Sequence, residues 1–241
     1  MKMSDSNVDV RVYPIDEPKG NTLAFANVRI DGMVAINGIR AVNSDKGVFV
    51  AMPQSQDNTG LYHDTAFPLN KELRKTIADA VIAEFATQAN LYPEQRGYVK
   101  SEQDTSVIKN VEDIKLDVKV FPFDDPKGDT LAFASIGLDD AVAIRGIRVV
   151  NSDKGPFVSM PQSQDRDGKF HDVAFPLSGD LRKAVSNAVL ADFRQQSAER
   201  KQSIGKQLAA GAEKSAQYKN TRAVQPQAAY AKRSAGNAGL E

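Results

Sequence analysis

The chain contains two histidines, His63 and His171, and each is followed by an aspartate, Asp64 and Asp172. A His-Asp pair is the beginning of a metal-dependent phosphohydrolase site. That chemistry needs further His and Asp ligands, and no third histidine exists in the sequence. An imidazole beside a carboxylate is expected here to hydrogen-bond across a strand pair instead. No phosphate-binding P-loop, GxSxG elbow or HExxH helix occurs. The serine of Gln54-Ser55-Gln56-Asp57 lies in a polar loop with no base in sequence reach. Cysteine is absent, which excludes disulfides, thiolate metal sites and a cysteine nucleophile. The expectation is a protein that is not an enzyme, with no catalytic residue, metal or cofactor.

What remains is charge. Lys71, Arg74 and Lys75 cluster on one short stretch, and Arg182 and Lys183 recur at the equivalent place, where Gly179 replaces the first lysine. Cations set beside a helix N-terminus can hold phosphate, because the backbone N–H groups there already favour anions. A solvated polar face is the competing role. Arg40 and Arg148 follow Ile39 and Ile147, so they are expected to point away from the buried side of their strands, toward phosphate or into an ion pair with an acid such as Asp45. Asn37 becomes Arg145 in the second copy, and Lys46, Lys154, Arg166 and Lys169 sit in polar turns. Phe25, Phe49, Phe67 and Phe85, with Phe133, Phe157, Phe175 and Phe193, recur in strand and helix interiors, where core packing is expected rather than base stacking. Tyr62 and Phe170, next to loop glycines, are expected to be exposed.

The elements that position these residues come twice. Gly38–Lys75 reads GIRAVNSDKGVFVAMPQSQDNTGLYHDTAFPLNKELRK and returns at Gly146–Lys183 as GIRVVNSDKGPFVSMPQSQDRDGKFHDVAFPLSGDLRK, without a gap, at a shift of 108 residues. One long-period match means a duplicated domain, since a solenoid needs at least about three short stacked repeats. Within each copy, Val8–Tyr13 alternates apolar and polar residues, Leu23–Ile30 forms a second strand closed by Asp31-Gly32, and Met33–Val42 a third, interrupted at Gly38 by a bulge or close approach. Val48–Met52 follows, and Leu61–Phe67 is expected to return as its partner. Asn70 and Ser178 are suitable helix N-caps. Beyond them Leu73, Ile77, Ala80, Val81 and Phe85 form one apolar stripe, repeated as Leu181, Val185, Ala188, Val189 and Phe193. The fold class is therefore α+β: two tandem copies of a small antiparallel sheet of four or five strands, each followed by an amphipathic helix, docked as a pseudo-dimer. The division expected is 8–88 for the first domain, 89–115 for a linker, 116–196 for the second domain and 197–241 for a basic tail, helical to about Ala212 and disordered beyond.

The formal net charge is zero, but it is unevenly spread. Residues 8–88 hold 8 basic and 10 acidic side chains, 115–196 hold 11 and 12, and 197–241 hold 8 and 3. The folded units are mildly acidic and the tail is cationic, so any grip on phosphate must come from local clusters or the tail. No apolar run approaches the length of a membrane span, and the start lacks the apolar core of a signal peptide, so a cytoplasmic protein is expected.

Gly38-Ile39-Arg40, Gly47, Phe49-Val50-Ala51-Met52-Pro53, Gly60, His63-Asp64 and Ala66-Phe67-Pro68-Leu69, with their second-copy counterparts, resemble the SpoVG (stage V sporulation protein G, septation regulator) family of small bacterial proteins. The resemblance implies a nucleic-acid-binding regulator of DNA or RNA, tied to septation or sporulation, with the post-sheet helix and nearby basic residues on the nucleic acid. A usual member has one such domain and pairs as a homodimer. Two copies in one chain then imply a monomer acting as a pseudo-dimer. The site residues so implied are Lys71, Arg74, Lys75, Arg182, Lys183, Arg40 and Arg148. The alternative is a protein-interaction scaffold that uses an exposed sheet face and has no affinity for nucleic acid.

Overall fold

The computed structural model describes residues 6–57, 59–89, 110–126, 128–165 and 167–223, with side chains described as far as 214. It divides into a unit ending at Gln196 and a second beginning at Ser197. In the first unit, repeat one supplies β1 (Val8–Pro14), β2 (Thr22–Ile30), β3 (Val34–Ser44), β4 (Gly47–Ala51), β5 (Gln54–Gln56), β6 (Tyr62–Asp64), β7 (Ala66–Pro68) and α1 (Lys71–Ala89). Repeat two supplies β8 (Leu116–Pro122), β9 (Thr130–Leu138), β10 (Val142–Val150), β11 (Phe157–Ser159), β12 (Gln162–Gln164), β13 (Phe170–Asp172), β14 (Ala174–Pro176) and α2 (Gly179–Ala223). The expected tandem α+β architecture is present.

The two repeats do more than dock: they exchange a strand. The first sheet runs β1-β2-β3-β14, with β4 also on β3, and the second runs β11-β10-β9-β8, with β7 on β10. Thus Ala174, Phe175 and Pro176 pair with Ile36, Ala35 and Val34. Ala66, Phe67 and Pro68 likewise pair with Ile144, Ala143 and Val142. The exchange extends on both sides of each short strand. The Asn37 N–H donates to the Val173 carbonyl (2.7 Å) and the Leu177 N–H to the Met33 carbonyl (2.8 Å), while the Arg145 N–H donates to the Thr65 carbonyl (2.7 Å) and the Leu69 N–H to the Ala141 carbonyl (2.7 Å). The expected return of Leu61–Phe67 onto β4 is therefore corrected. Tyr62–Asp64 closes a small separate hairpin on Gln54–Gln56, and the residues after it cross to the other repeat. Edge strands left open invite pairing with another chain, and here each β3-type edge is covered by the sister repeat.

Both helices begin as expected. Asn70 Oδ1 accepts the Leu73 N–H at 2.7 Å and Ser178 Oγ accepts the Leu181 N–H at 3.1 Å. Leu73, Ile77 and Val81, and Leu181, Val185 and Val189, are buried in one continuous apolar core shared by both repeats. Ala24, Ala26, Val28 and Ile30 meet them with no exposure at all. Small side chains at Ala24 and Ala26 let helix and sheet approach closely, and the helix covers only that side. The segment expected as a linker carries a 3₁₀ turn at Val111–Asp113 and buries Ile114. Its residues 90–109 lie outside the described residues.

In the second unit, helix α2 continues to Ala223, past the expected end near Ala212. Every side chain from Ala198 to Lys214 is exposed. The expectation of disorder farther on falls on 224–241, outside the described residues.

Candidate functional site

The side of each sheet turned away from its helix presents the same constellation. In the first sheet, register places Tyr13 opposite Phe25, Phe25 opposite Arg40 and Arg40 opposite Ala51. In the second, Phe121, Phe133, Arg148 and Ser159 make the same row. Phe49 and Phe157 stand one step along, opposite Val42 and Val150. These rings are not core. Tyr13, Phe25 and Phe49 are 52%, 46% and 48% exposed, and Phe121, Phe133 and Phe157 are 58%, 45% and 47% exposed. The expectation of core packing is thus overturned for Phe25, Phe49, Phe133 and Phe157. Strand residues alternate faces, and with Ala24 and Ala26 turned inward Phe25 must turn outward. Phe67, Phe85, Phe175 and Phe193 do pack against the core while staying partly exposed. Tyr62 and Phe170 are exposed as expected.

A bulge brings the arginine into that row. Ile36 and Ile39 are both fully buried, although strict alternation would put residues three apart on opposite faces. The register between β2 and β3 shifts from Val28 opposite Ile36 to Ala26 opposite Ile39, and Gly38 absorbs the extra residue at φ 75°. Without the shift, Arg40 would share the inward face of Ile36. Gly146 does the same for Arg148 at φ 73°. A Cβ at Gly38 would come no closer than 3.9 Å to Pro53, so the left-handed backbone, not lack of space, calls for glycine there. Both arginines are half-buried. Neither forms an ion pair with a carboxylate among the described residues, and the considered pairing with Asp45 is not made. Among the described residues the Arg148 guanidinium reaches only the Ser159 hydroxyl, at 3.4 Å.

Farther along the first sheet, Asp9, Arg29, Ala35 and Phe175 form another row, and Phe175 comes from the exchanged strand. Together with Arg11, Asn27 and Asn37 they line a recess of about 130 Å³. The helix-start Arg182 lies over the Phe175 ring at 5.9 Å, so the exchange carries a cation of repeat two to the sheet of repeat one. Arg145 lies over Phe67 at 4.7 Å in the second sheet. The outward positions thus bring Arg11, Arg29 and Arg40 together with Asp9 on one face, and Lys119, Arg145 and Arg148 with Asp117 on the other. Lys119 approaches Asp117 at 3.9 Å. In this acidic body, the sheet faces are where positive charge gathers.

The helix-start cations are placed differently. Arg74 faces Asp64 at 3.8 Å, Arg182 faces Asp172 at 4.0 Å, Lys183 faces Asp180 at 3.7 Å, and Lys75 pairs with Asp79 one turn on. Lys71 is exposed and has no ion pair among the described residues. The expected cluster is therefore present as positions, but most of its charge is opposed. Lys46, Lys154 and Lys169 are exposed in their turns, and Arg166 lies outside the described residues.

The histidines pin hairpins. His63 Nε2 donates to Asp57 at 2.7 Å, and the same carboxylate accepts the Thr59 N–H (2.8 Å), the Thr59 hydroxyl (2.6 Å) and the Leu61 N–H (3.0 Å). The Thr59 hydroxyl, and after it His63, hold Asp57 well below the usual carboxylate range. In repeat two, the His171 hydrogen bond, and after it the Lys169 N–H, lowers the Asp165 carboxyl from its ordinary value. The histidine's partner is thus Asp57 across the hairpin rather than the adjacent Asp64.

Tyr13, Phe121, Phe123, Arg11, Arg29 and Lys119 did not stand out in the sequence as site residues. Their signal was the alternation Ala24-Phe25-Ala26 and Ala132-Phe133-Ala134, in which the small residue, not the ring, faces the helix.

Comparison with known proteins agrees with the doubled architecture. The SpoVG family profile matches residues 6–87 and again 114–195. Relatives bearing the name septation protein SpoVG include one from Symbiobacterium thermophilum, 39% identical over 67 residues, a match covering 28% of this chain and 48% of that protein. One from Anaeromyxobacter sp. is 34% identical over 77 residues, covering 32% of this chain and 77% of the relative. One from Archaeoglobus fulgidus is 38% identical over 69 residues, covering 29% and 81%. Each alignment is about the length of a single repeat, while the profile is satisfied twice: the chain belongs to the SpoVG family, as a tandem pair.

Proposed function

We propose that this chain is a nucleic-acid-binding regulatory protein whose two outer sheet faces hold the phosphate backbone, with Arg40 and Arg148 as the central contacts. The carrying observation is that these two arginines stand mid-sheet with no opposing carboxylate among the described residues, while Arg74, Lys75, Arg182 and Lys183 each face one. A guanidinium presents planar paired donors that match phosphate oxygens, and each phosphate neutralised releases condensed counterions. Lys71, Arg74, Lys75, Arg182 and Lys183 serve as secondary contacts at the sheet margins. The septation-protein name of the relatives suits a role in regulating cell division. The chain acts as a binder rather than an enzyme, one molecule doing the work of a pair. No helix among the described residues is long and apolar enough to cross a membrane, in keeping with a cytoplasmic site of action.

The test is a salt-graded binding measurement with DNA and with RNA on the full chain. Arg40→Ala combined with Arg148→Ala is expected to weaken binding on the order of 10–100-fold and to flatten the salt dependence by about one to two phosphate contacts. A protein-interaction scaffold is the second reading, favoured by the rings on the same faces. It predicts no salt-dependent binding to either nucleic acid, and that result would sink the regulator.

A further inference from the structure

Resting on the nucleic-acid reading, we infer that the strand taken by these faces is single, with its bases stacked on the exposed rings. Three features point there together. Tyr13 and Phe25 are directly opposed on neighbouring strands, as are Phe121 and Phe133, so each face carries two exposed rings rooted on strands about 4.8 Å apart. Phe123 meets Phe133 edge-on, with centroids 5.4 Å apart and planes at 89°, which props the Phe133 ring in place. Arg40 and Arg148 lie next in the same rows, within one strand spacing of the central phenylalanines.

A broad sheet face cannot enter the major groove of a duplex, which admits a helix or a two-stranded ribbon. Against the outside of a duplex the rings would meet phosphates and be desolvated without gain. Unpaired bases, by contrast, offer flat π-faces to the rings while the arginines reach the flanking phosphates. A protein partner fits less well, because the rings are interspersed with cations and each face carries more basic than acidic side chains. Each face is expected to seat roughly two or three bases, as four-stranded sheets with surface aromatics do. A strand long enough to reach both faces then binds more tightly than a short one, because its second contact is intramolecular.

The sequence has no tryptophan, which supplies a direct readout. Phe25→Trp and Phe133→Trp each place one indole on one face. Its fluorescence is measured while an oligo-uridine or oligo-thymidine strand, or a fully paired duplex of equal length, is added to the full chain. The single strand is expected to quench the indole and to bind at least tenfold more tightly than the duplex. Phe25→Ala with Phe133→Ala is expected to lower single-strand affinity by roughly tenfold per ring, with an unchanged salt slope and a thermal midpoint close to that of the parent. Equal or tighter duplex binding, an unquenched indole on a bound strand, or a folded alanine variant with undiminished affinity overturns the inference while leaving the nucleic-acid reading intact. Binding to neither probe overturns both.

Discussion

Arg40 and Arg74 lie in one repeat, yet their surroundings differ in kind. Arg74 sits on the first turn of α1 within 3.8 Å of Asp64, and its neighbour Lys75 is paired with Asp79. Arg40 sits mid-strand on the outer face, half-buried, with phenylalanine on one side and alanine on the other. Repeat two draws the same contrast between Arg182, near Asp172, and Arg148, whose partner among the described residues is the Ser159 hydroxyl. A cluster of cations along a sequence therefore says little about available charge. A helix start gathers carboxylates from its own first turns and from the hairpin strand that precedes it. A strand that alternates with alanine and phenylalanine has none nearby. The isolated arginine is the better candidate for phosphate.

The strongest way to break this comparison is to undo the exchange that places one repeat's helix start beside the other's sheet. Ala66 and Ala174 are fully buried in β7 and β14. An aspartate at either site would be a buried carboxylate without a partner, a cost on the order of 3–5 kcal/mol. Ala66→Asp or Ala174→Asp is expected to lower the thermal midpoint by roughly 10 °C or more for a body of this size. Because an unpaired β3-type edge seeks another strand, light scattering should also show the variant as oligomers, against a monomeric parent. A monomeric variant with an unchanged midpoint would mean that the exchanged strands contribute little.

Parts of this arrangement are plain in the sequence and parts are hidden for physical reasons. The caps Asn70 and Ser178, the Leu73-Ile77-Val81 stripe and the bulge at Gly38 are local features, governed by residues a few positions apart, and each is where the spacing puts it. The exchange is not local. Val34-Ala35-Ile36 and Val142-Ala143-Ile144 are identical, so β7 and β14 meet the same partner sequence in either repeat, and only the path of the chain distinguishes them. The faces of the rings are hidden for a simpler reason. A position inside a strand does not say which face it occupies, and the hydrophobicity of Phe25 points inward while the parity set by Ala24 and Ala26 turns it outward. The face of Arg40 is legible because the buried Ile39 beside it sets the parity. The carboxylates opposing Arg74 and Arg182 come from β6 and β13, ten positions earlier in the chain, where side-chain spacing along the helix gives no hint of them.

A milder perturbation compares the two sets of cations directly. Replacing Arg74, Lys75, Arg182 and Lys183 together by alanine removes four formal charges but only two that are not already paired within their own helix. With most of that charge opposed, the variant is expected to lose less than about fivefold in affinity near physiological salt, and less than one phosphate contact in salt slope. Arg40→Ala with Arg148→Ala, removing two charges, should cost more than removing four. If the fourfold helix variant binds more weakly than the sheet pair, the ranking reverses and the helix starts become the principal contacts.

The smallest effect has the opposite sign. Asp64→Asn with Asp172→Asn takes away the negative charge facing Arg74 and Arg182 while leaving an amide oxygen for the Gln54 and Gln162 side chains, which donate to these residues at 2.9 Å. The pairs are long, at 3.8 and 4.0 Å, and both arginines are about half exposed, so each is worth less than about 1 kcal/mol. Released, the two guanidiniums should raise affinity for a nucleic acid by two- to fourfold at low salt. That gain should fade as the Debye length shrinks toward about 8 Å at physiological ionic strength. Titrations of parent and variant across a salt series would show converging lines. Parallel lines with no gain would place Arg74 and Arg182 out of reach of the strand. A loss would show that the aspartates orient the arginines rather than mask them, because removing a carboxylate from a phosphate-binding surface can weaken it only by misplacing the cation that the carboxylate held.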